Sequence, residues 1–287
     1  MNKILKHINN IPCEIFNNNK TENLIFLHAN AFPPRCYLPL MKKLATKYNI
    51  ICPFFRPLWQ VEKNNKLKSW DIFKKDTVAF LNHLDGDQYH IFGHSLGAHI
   101  AFRIVLENKE FIKKAILLDP VIFDKYFILF WNLIKFTNFA RSIHPLIRAS
   151  KNQKMIYNTH LDIFNKYRKK SIFKNFSDKN LNYFIEGLTK TNNSGKIELI
   201  FPKEWELSIY QTGATTDNYI YKNLKHLDKS TLIFYAGKTN LPRYENTIKN
   251  ITSKSDNLKS IYLPKNTHLF PMEIPTKISG HILDFFN

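Results

Sequence analysis

Residues 93–97 read Gly-His-Ser-Leu-Gly, a serine with a glycine two places before it and another two places after. That spacing suits a nucleophile. A short apolar run (Tyr89, Ile91, Phe92) leads into Ser95, and an Ala- and Ile-bearing stretch able to continue as a helix leads out of it. A sharp strand-to-helix turn strains its central residue and leaves no room for side chains at the flanking positions, which glycine answers. The hydroxyl then stands clear of the sheet, and the next N–H lies at a helix N-terminus, where an oxyanion is stabilised. Attack by such a serine needs a base, and histidine is the usual one. Among eleven histidines, His268 stands out by position. It ends Pro264-Lys265-Asn266-Thr267-His268, which is expected as a loop after the last strand, on the same C-terminal sheet edge as the serine. His94, inside the turn, is expected to point away from the Ser95 hydroxyl.

These residues need a scaffold, and the hydrophobic pattern supplies one. Ile11–Phe16 predicts an edge strand, where Pro12 is tolerated. The uninterrupted run Leu24–His28 predicts a strand covered on both faces, and Ile50–Phe54 predicts another. Helical spacing runs over Cys36–Tyr48, Trp70–Leu84 and Gly97–Glu107, and Ala115–Leu118 predicts a strand closing on Asp119-Pro120. This alternation predicts an α/β fold with a doubly wound, mostly parallel sheet. After Pro120 the rhythm breaks. Residues 121–227 read as mostly helical, with Lys196–Phe201 the one strand-like exception. Strands return at Thr231–Tyr235 and Ser260–Leu263, and a helix over Ile274–Phe286 closes the chain. The expected organisation is a core of 1–120 and 228–287 with a helical insertion over 121–227.

Composition limits the function. A chain of 287 residues with 44% apolar content can bury a sizeable core. The net charge of +19 raises a nucleic-acid reading, but the basic residues are spread along the whole chain. The densest run, Lys166–Lys174, reads as a solvated helix face, so no nucleic-acid partner is expected. Cys13, Cys36 and Cys52 have no metal-ligand spacing and leave an odd thiol under any pairing, which favours a reducing, cytoplasmic setting. The N-terminal residues lack a continuous apolar signal core. The greasiest stretch, Tyr126–Phe136, falls short of the roughly 20 residues that span a bilayer, so a soluble chain without stable membrane insertion is expected. Neither a metal cluster nor a phosphate-binding glycine loop is present, and no cofactor is expected. The expected partner is a small-molecule substrate, with the chain a monomer or a homodimer.

The pieces in order resemble the α/β-hydrolase fold superfamily, specifically its cap-bearing small hydrolases, over nearly the whole chain. His28-Ala29-Asn30-Ala31-Phe32 looks like the family's oxyanion loop, with Ala29 in place of the usual first glycine. Residues 267–275, Thr-His-Leu-Phe-Pro-Met-Glu-Ile-Pro, look like its histidine loop. The resemblance implies an oxyanion hole from the backbone N–H groups of Asn30 and Leu96, with Ala31 the alternative to Asn30. It also implies that 121–227 is a cap. The family most often carries its triad acid in the turn after the strand following the cap, but residues 236–241 here offer Asn240 and no carboxylate. Some members carry it after the preceding strand, where this chain has Asp119, and Asp119 is therefore preferred. Arg56-Pro57-Leu58-Trp59 departs from the family's R-G-x-G loop.

The expected function is a serine hydrolase with Ser95, His268 and Asp119 as its triad. Its expected substrate is an ester or thioester of a small to medium apolar acid, cleaved through an acyl-enzyme. A carbon–carbon bond hydrolase and an acyltransferase are rivals on the same serine. A low-turnover, receptor-like ligand binder is the rival of another class. The aromatic surplus in residues 126–136 either lines a pocket over the serine or packs between cap and sheet. Glu204-Trp205-Glu206 with Tyr210 resembles a recurrent cap segment without an evident chemical role.

Overall fold

The computed structural model describes residues 2–17, 19–59, 67–84, 86, 88–107, 110–135, 137, 145–213, 217–239, 241 and 243–287. Eight strands form one sheet: β1 (Asn2–Ile8), β2 (Ile11–Asn17), β3 (Asn23–Leu27), β4 (Asn49–Pro53), β5 (Tyr89–His94), β6 (Ile112–Leu118), β10 (Thr231–Lys238) and β11 (Leu258–Thr267). Their order is β1-β2-β4-β3-β5-β6-β10-β11. All neighbours from β4 to β11 run parallel, and only the β1–β2 and β2–β4 pairs are antiparallel. The chain places β4 on one side of β3 and then β5 on the other. Ligands of open α/β sheets bind where the order reverses in this way, outside the C-terminal strand ends.

The strands are apolar on both faces because helices cover both. Ile25, Leu27, Ile91 and Leu117 face one core, built with α2 (Asp71–Leu81), α3 (Leu96–Val105) and α10 (Tyr244–Thr252). The alternate residues Leu24, Phe26, Phe92 and Leu118 face the other, built with α1 (Leu38–Leu44) and α12 (Pro275–Phe286). The period of two along each strand thus serves two cores, which is why Leu24–His28 reads as a continuous apolar run.

Several boundaries differ from the sequence reading. Ile11–Phe16 is not an edge strand, because β1 pairs with β2 along its whole length and takes the edge. Residues 2–8 read Asn-Lys-Ile-Leu-Lys-His-Ile, polar and apolar in pairs rather than alternately, and lie outside any α/β rhythm, so their strand pattern is weak. The carbonyl of Pro12 still accepts from the Phe54 N–H at 2.9 Å, so the missing proline donor costs no link to the β4 end. The predicted helix at 36–48 divides into a 3₁₀ turn at Pro34–Tyr37 and α1. Pro264–Thr267 is not loop but the end of β11, which pairs back to Lys238 across an irregularity.

Between Asp119 and Ser230, the described residues add no strand to the large sheet. They form α4 (Lys125–Ile134), α5 (Pro145–Lys151), α6 (His160–Arg168), α7 (Asp178–Leu188), α8 (Lys203–Thr212) and α9 (Asp217–Asn223). They also form a small antiparallel sheet of β7 (Ile156–Tyr157), β9 (Ile197–Leu199) and β8 (Thr189–Thr191). Only β9 had a sequence signal, because β9 lies in the strand-like run 196–201, whereas β7 is two residues long and β8 is the polar Thr-Lys-Thr.

Candidate active site

Ser95 sits at φ 56°, ψ −115°, between β5 and α3, where few non-glycine residues go. Its N–H donates to the Leu118 carbonyl at 2.9 Å, tying the turn to the tip of β6. The flanking glycines are required by contact. A Cβ on Gly97 would lie 2.0 Å from the Leu27 carbonyl oxygen, and one on Gly93 would lie 2.4 Å from Gly97 backbone atoms. Leu96 opens α3, so its N–H is among those that lack a partner within the helix.

Asp119 closes β6 with a left-handed φ of 46° and is fully buried. One carboxylate oxygen accepts from the Ala236 N–H of β10 at 2.8 Å. The other lies 2.6 Å from Nδ1 of His268. With a proton on Nδ1 donated to the carboxylate, Nε2 of His268 is left as the ring's acceptor. Tyr244 closes the far side, donating its hydroxyl to the Pro120 carbonyl at 2.5 Å. Asn240 lies outside the described residues.

Two supports of His268 escaped the sequence reading. His94 is fully buried, and burial holds its pKa well below the usual histidine range, so its ring is neutral. The Tyr37 hydroxyl lies 2.6 Å from His94 Nδ1, and His94 Nε2 lies 2.8 Å from the His268 carbonyl oxygen. A carbonyl can only accept, so Nε2 carries the proton and Nδ1 accepts from Tyr37. His94 thus points away from the serine and grips the backbone of the histidine loop instead. Glu273 is the second support. Its carboxylate accepts from the Asn266 amide at 2.9 Å, the Thr267 N–H at 3.3 Å and the Thr267 hydroxyl. No sequence pattern announces the Tyr37–His94 bond, because its partners are 57 residues apart.

Asn30 follows β3 in a tight turn closed by Phe32 N–H to the Ala29 carbonyl at 3.3 Å, with Ala31 at φ 63°. His28 braces this turn. Its Nδ1 donates to the Ala29 carbonyl at 2.8 Å, and its Nε2 accepts from the Phe55 N–H at 3.1 Å. Burial lowers the His28 pKa to about 4, which keeps the ring neutral, and its two partners select the tautomer. The Asn30 side chain reaches the insertion, donating to the Glu206 carbonyl at 3.4 Å. Burial raises the pKa of the Glu206 carboxylate, and the buried Tyr210 hydroxyl meets both Glu206 and the Asn30 side chain. Glu206 and Tyr210 therefore form a polar bridge from α8 to the turn after β3.

Arg56 makes a paired contact with Asp76 at 2.6 and 2.9 Å and lies over the Trp59 ring. The departure from R-G-x-G thus leaves an arginine anchored to α2.

Residues 55–273 match the family profile described as the alpha/beta hydrolase fold. The chain belongs to the α/β-hydrolase fold family. It is 24% identical over 96% of its length to "Uncharacterized hydrolase YugF" of Bacillus subtilis (strain 168), covering 94% of that protein. Among solved structures it resembles E-2-(acetamidomethylene)succinate hydrolase, with a TM-score of 0.79, 13% identity and 99% of each chain covered. It also resembles the thioesterase domain from the curacin biosynthetic pathway, with a TM-score of 0.72, 16% identity and 99% of each chain covered. At these identities the solved structures share the fold, while family and curated relative agree on a hydrolase.

Proposed function

We propose that this hydrolase works through a serine acyl-enzyme, with Ser95 as nucleophile, His268 as general base and Asp119 as the acid that orients it. The observation that carries the reading is the 2.6 Å contact between the buried Asp119 carboxylate and His268 Nδ1. That contact supports a proton on Nδ1, with Nε2 free to take the Ser95 proton. The serine alkoxide attacks the substrate carbonyl, and the oxyanion forms against the N–H groups of Asn30 and Leu96. Each such donor is worth roughly 100- to 1000-fold in rate. His268 then protonates the leaving group, and water attacks the acyl-enzyme by the same route in reverse.

Residues 121–227 act as the cap in this reading. The favoured substrate is an ester or thioester. The Glu206–Tyr210 bridge adds a hydrogen-bonding group to the aromatic cap, which favours an acyl chain carrying one polar group over a purely apolar one. The same bridge keeps carbon–carbon hydrolysis as a second reading, since that chemistry needs polar cap groups to hold its substrate. The three cysteines are free and buried, which supports a reducing compartment in this reading.

The experiment is active-site labelling with a fluorophosphonate probe. Wild type should label and Ser95→Ala should not, with both proteins folded by circular dichroism. Equal labelling of the two would overturn the assignment. A panel of p-nitrophenyl esters, acyl thioesters and a vinylogous diketone then separates the two substrate readings.

A further inference from the structure

Only part of the apolar surplus on α4 is packed as expected, and the rest takes neither of the two places expected for it. One stripe of the helix packs inward: Ile128 and Trp131 join Phe123 and Ile147 in a small core of their own. The opposite stripe, Tyr126, Leu129, Phe130 and Leu133, faces solvent with 79%, 66%, 46% and 77% of its surface exposed. These positions follow the i, i+3, i+4, i+7 spacing of a single helix face. Elsewhere the insertion adds Leu146, Ile156, Leu161 and Ile172, all exposed as well. Single exposed leucines are ordinary, but a contiguous apolar stripe marks a surface that is covered in use.

We propose that this face of α4 docks the protein on an anionic lipid surface. Charge selects the occupant. From Val121 to Met155 the sequence carries Lys125, Lys135, Arg141, Arg148, Lys151 and Lys154 against one carboxylate, Asp124. Asp124 is spent on the α4 N-cap, accepting from the Tyr126 and Phe127 N–H groups at 3.0 and 3.1 Å. Exposed Arg148 and Lys151 lie on α5, which shares the small core with α4 through Ile147. Tyr, Phe and Leu on one face with Lys and Arg beside them describe a helix that lies in the membrane interface, with its basic groups reaching the headgroups. No helix among the described residues is long and apolar enough to cross a membrane, so the contact is peripheral. A second copy is a poor occupant, because each chain carries +19 and like charges repel. The docking stands apart from the serine chemistry and is tested without it.

The test is flotation of the full chain with phosphatidylcholine vesicles, with and without phosphatidylglycerol, at low and high salt. Wild type should float with the anionic vesicles only, and salt should weaken it. Leu129→Ser/Phe130→Ser/Leu133→Ser should lower the partition coefficient at least about tenfold, since each lost apolar side chain removes buried area. Lys125→Glu/Arg148→Glu should lower it by a similar factor, at about fivefold per basic residue near the surface. The residues are exposed, so circular dichroism should show all variants folded. Wild type failing to float, or the Leu129→Ser/Phe130→Ser/Leu133→Ser variant floating as well as wild type, overturns the proposal. So does a dimer, or a protein partner, that depends on the stripe while vesicles stay unbound.

Discussion

At the scale of single residues, the site is held by buried polar pairs, and each pair makes a distinct prediction. Asp119 spends one oxygen on the Ala236 N–H and the other on His268, so an amide there preserves shape and loses charge. Asp119→Asn should lower kcat by about 10⁴-fold on a p-nitrophenyl ester with little change in stability. Residual activity within tenfold of wild type would give the orienting role to another group. His94 acts one step further back, through the His268 backbone. His94→Ala should lower kcat by about 100-fold, the cost of roughly 1 Å of misplacement, with KM nearly unchanged. Tyr37→Phe leaves His94 Nδ1 without its donor and should have a smaller effect of the same kind. A change confined to thermal stability would make both residues merely structural.

At the scale of elements, the turn at Ser95 depends on how closely β3 and α3 approach. Gly97 meets the Leu27 carbonyl with no space for a methyl group. Gly97→Ala should therefore destabilise the fold by about 3 kcal/mol, the upper range for overpacking, measured by urea denaturation. Gly280, on α12 with open space around it, is the control. Gly280→Ala should be neutral or slightly stabilising, as expected for a helical glycine. The insertion is joined to the core by its own buried pair. Asp217 of α9 accepts from the Phe123 N–H at 2.6 Å and lies 3.7 Å from His99 of α3. Burial raises the Asp217 pKa to about 8 and lowers that of His99 to about 3. Both shifts run toward the uncharged forms, so at neutral pH the contact joins two neutral groups rather than an ion pair.

At the scale of the whole molecule, these shifts set opposite slopes of stability with pH. His28 and His99 are neutral when folded and take a proton near pH 6.5 when unfolded. The unfolded chain binds more protons below that value, so their contribution is present above pH 6.5 and is lost as pH falls toward 4. Asp217 works the other way. It is protonated when folded up to about pH 8, but ionises near 3.8 when unfolded, so stability falls as pH rises between those values. Denaturation midpoints should accordingly drop from pH 6.5 to pH 4.5. Asp217→Asn should flatten the decline between pH 6 and pH 9 and make the protein no less stable at pH 8. A decline identical to wild type would show that Asp217 is ionised in the folded state.

The sequence alone determined what is periodic or local. Alternation of apolar strands and helices from Leu24 to Asp119 predicted the parallel sheet, since both periods follow from backbone geometry. The glycines around Ser95 predicted the strained turn, because only a sharp turn demands them on both sides. His268 and Asp119 were legible as candidates by lying at strand ends. Tertiary structure decided the rest. The β1 edge, with its polar strand, depends on pairing with β2 rather than on its own propensity. The hold of His94 on the His268 carbonyl and the Glu206–Tyr210 bridge to Asn30 join residues 174 and 176 positions apart. Which stripe of α4 faces water also lay beyond the sequence. A helix apolar nearly all round carries no internal mark of its buried side, and only the packing of Trp131 and Ile128 on Phe123 and Ile147 assigns it.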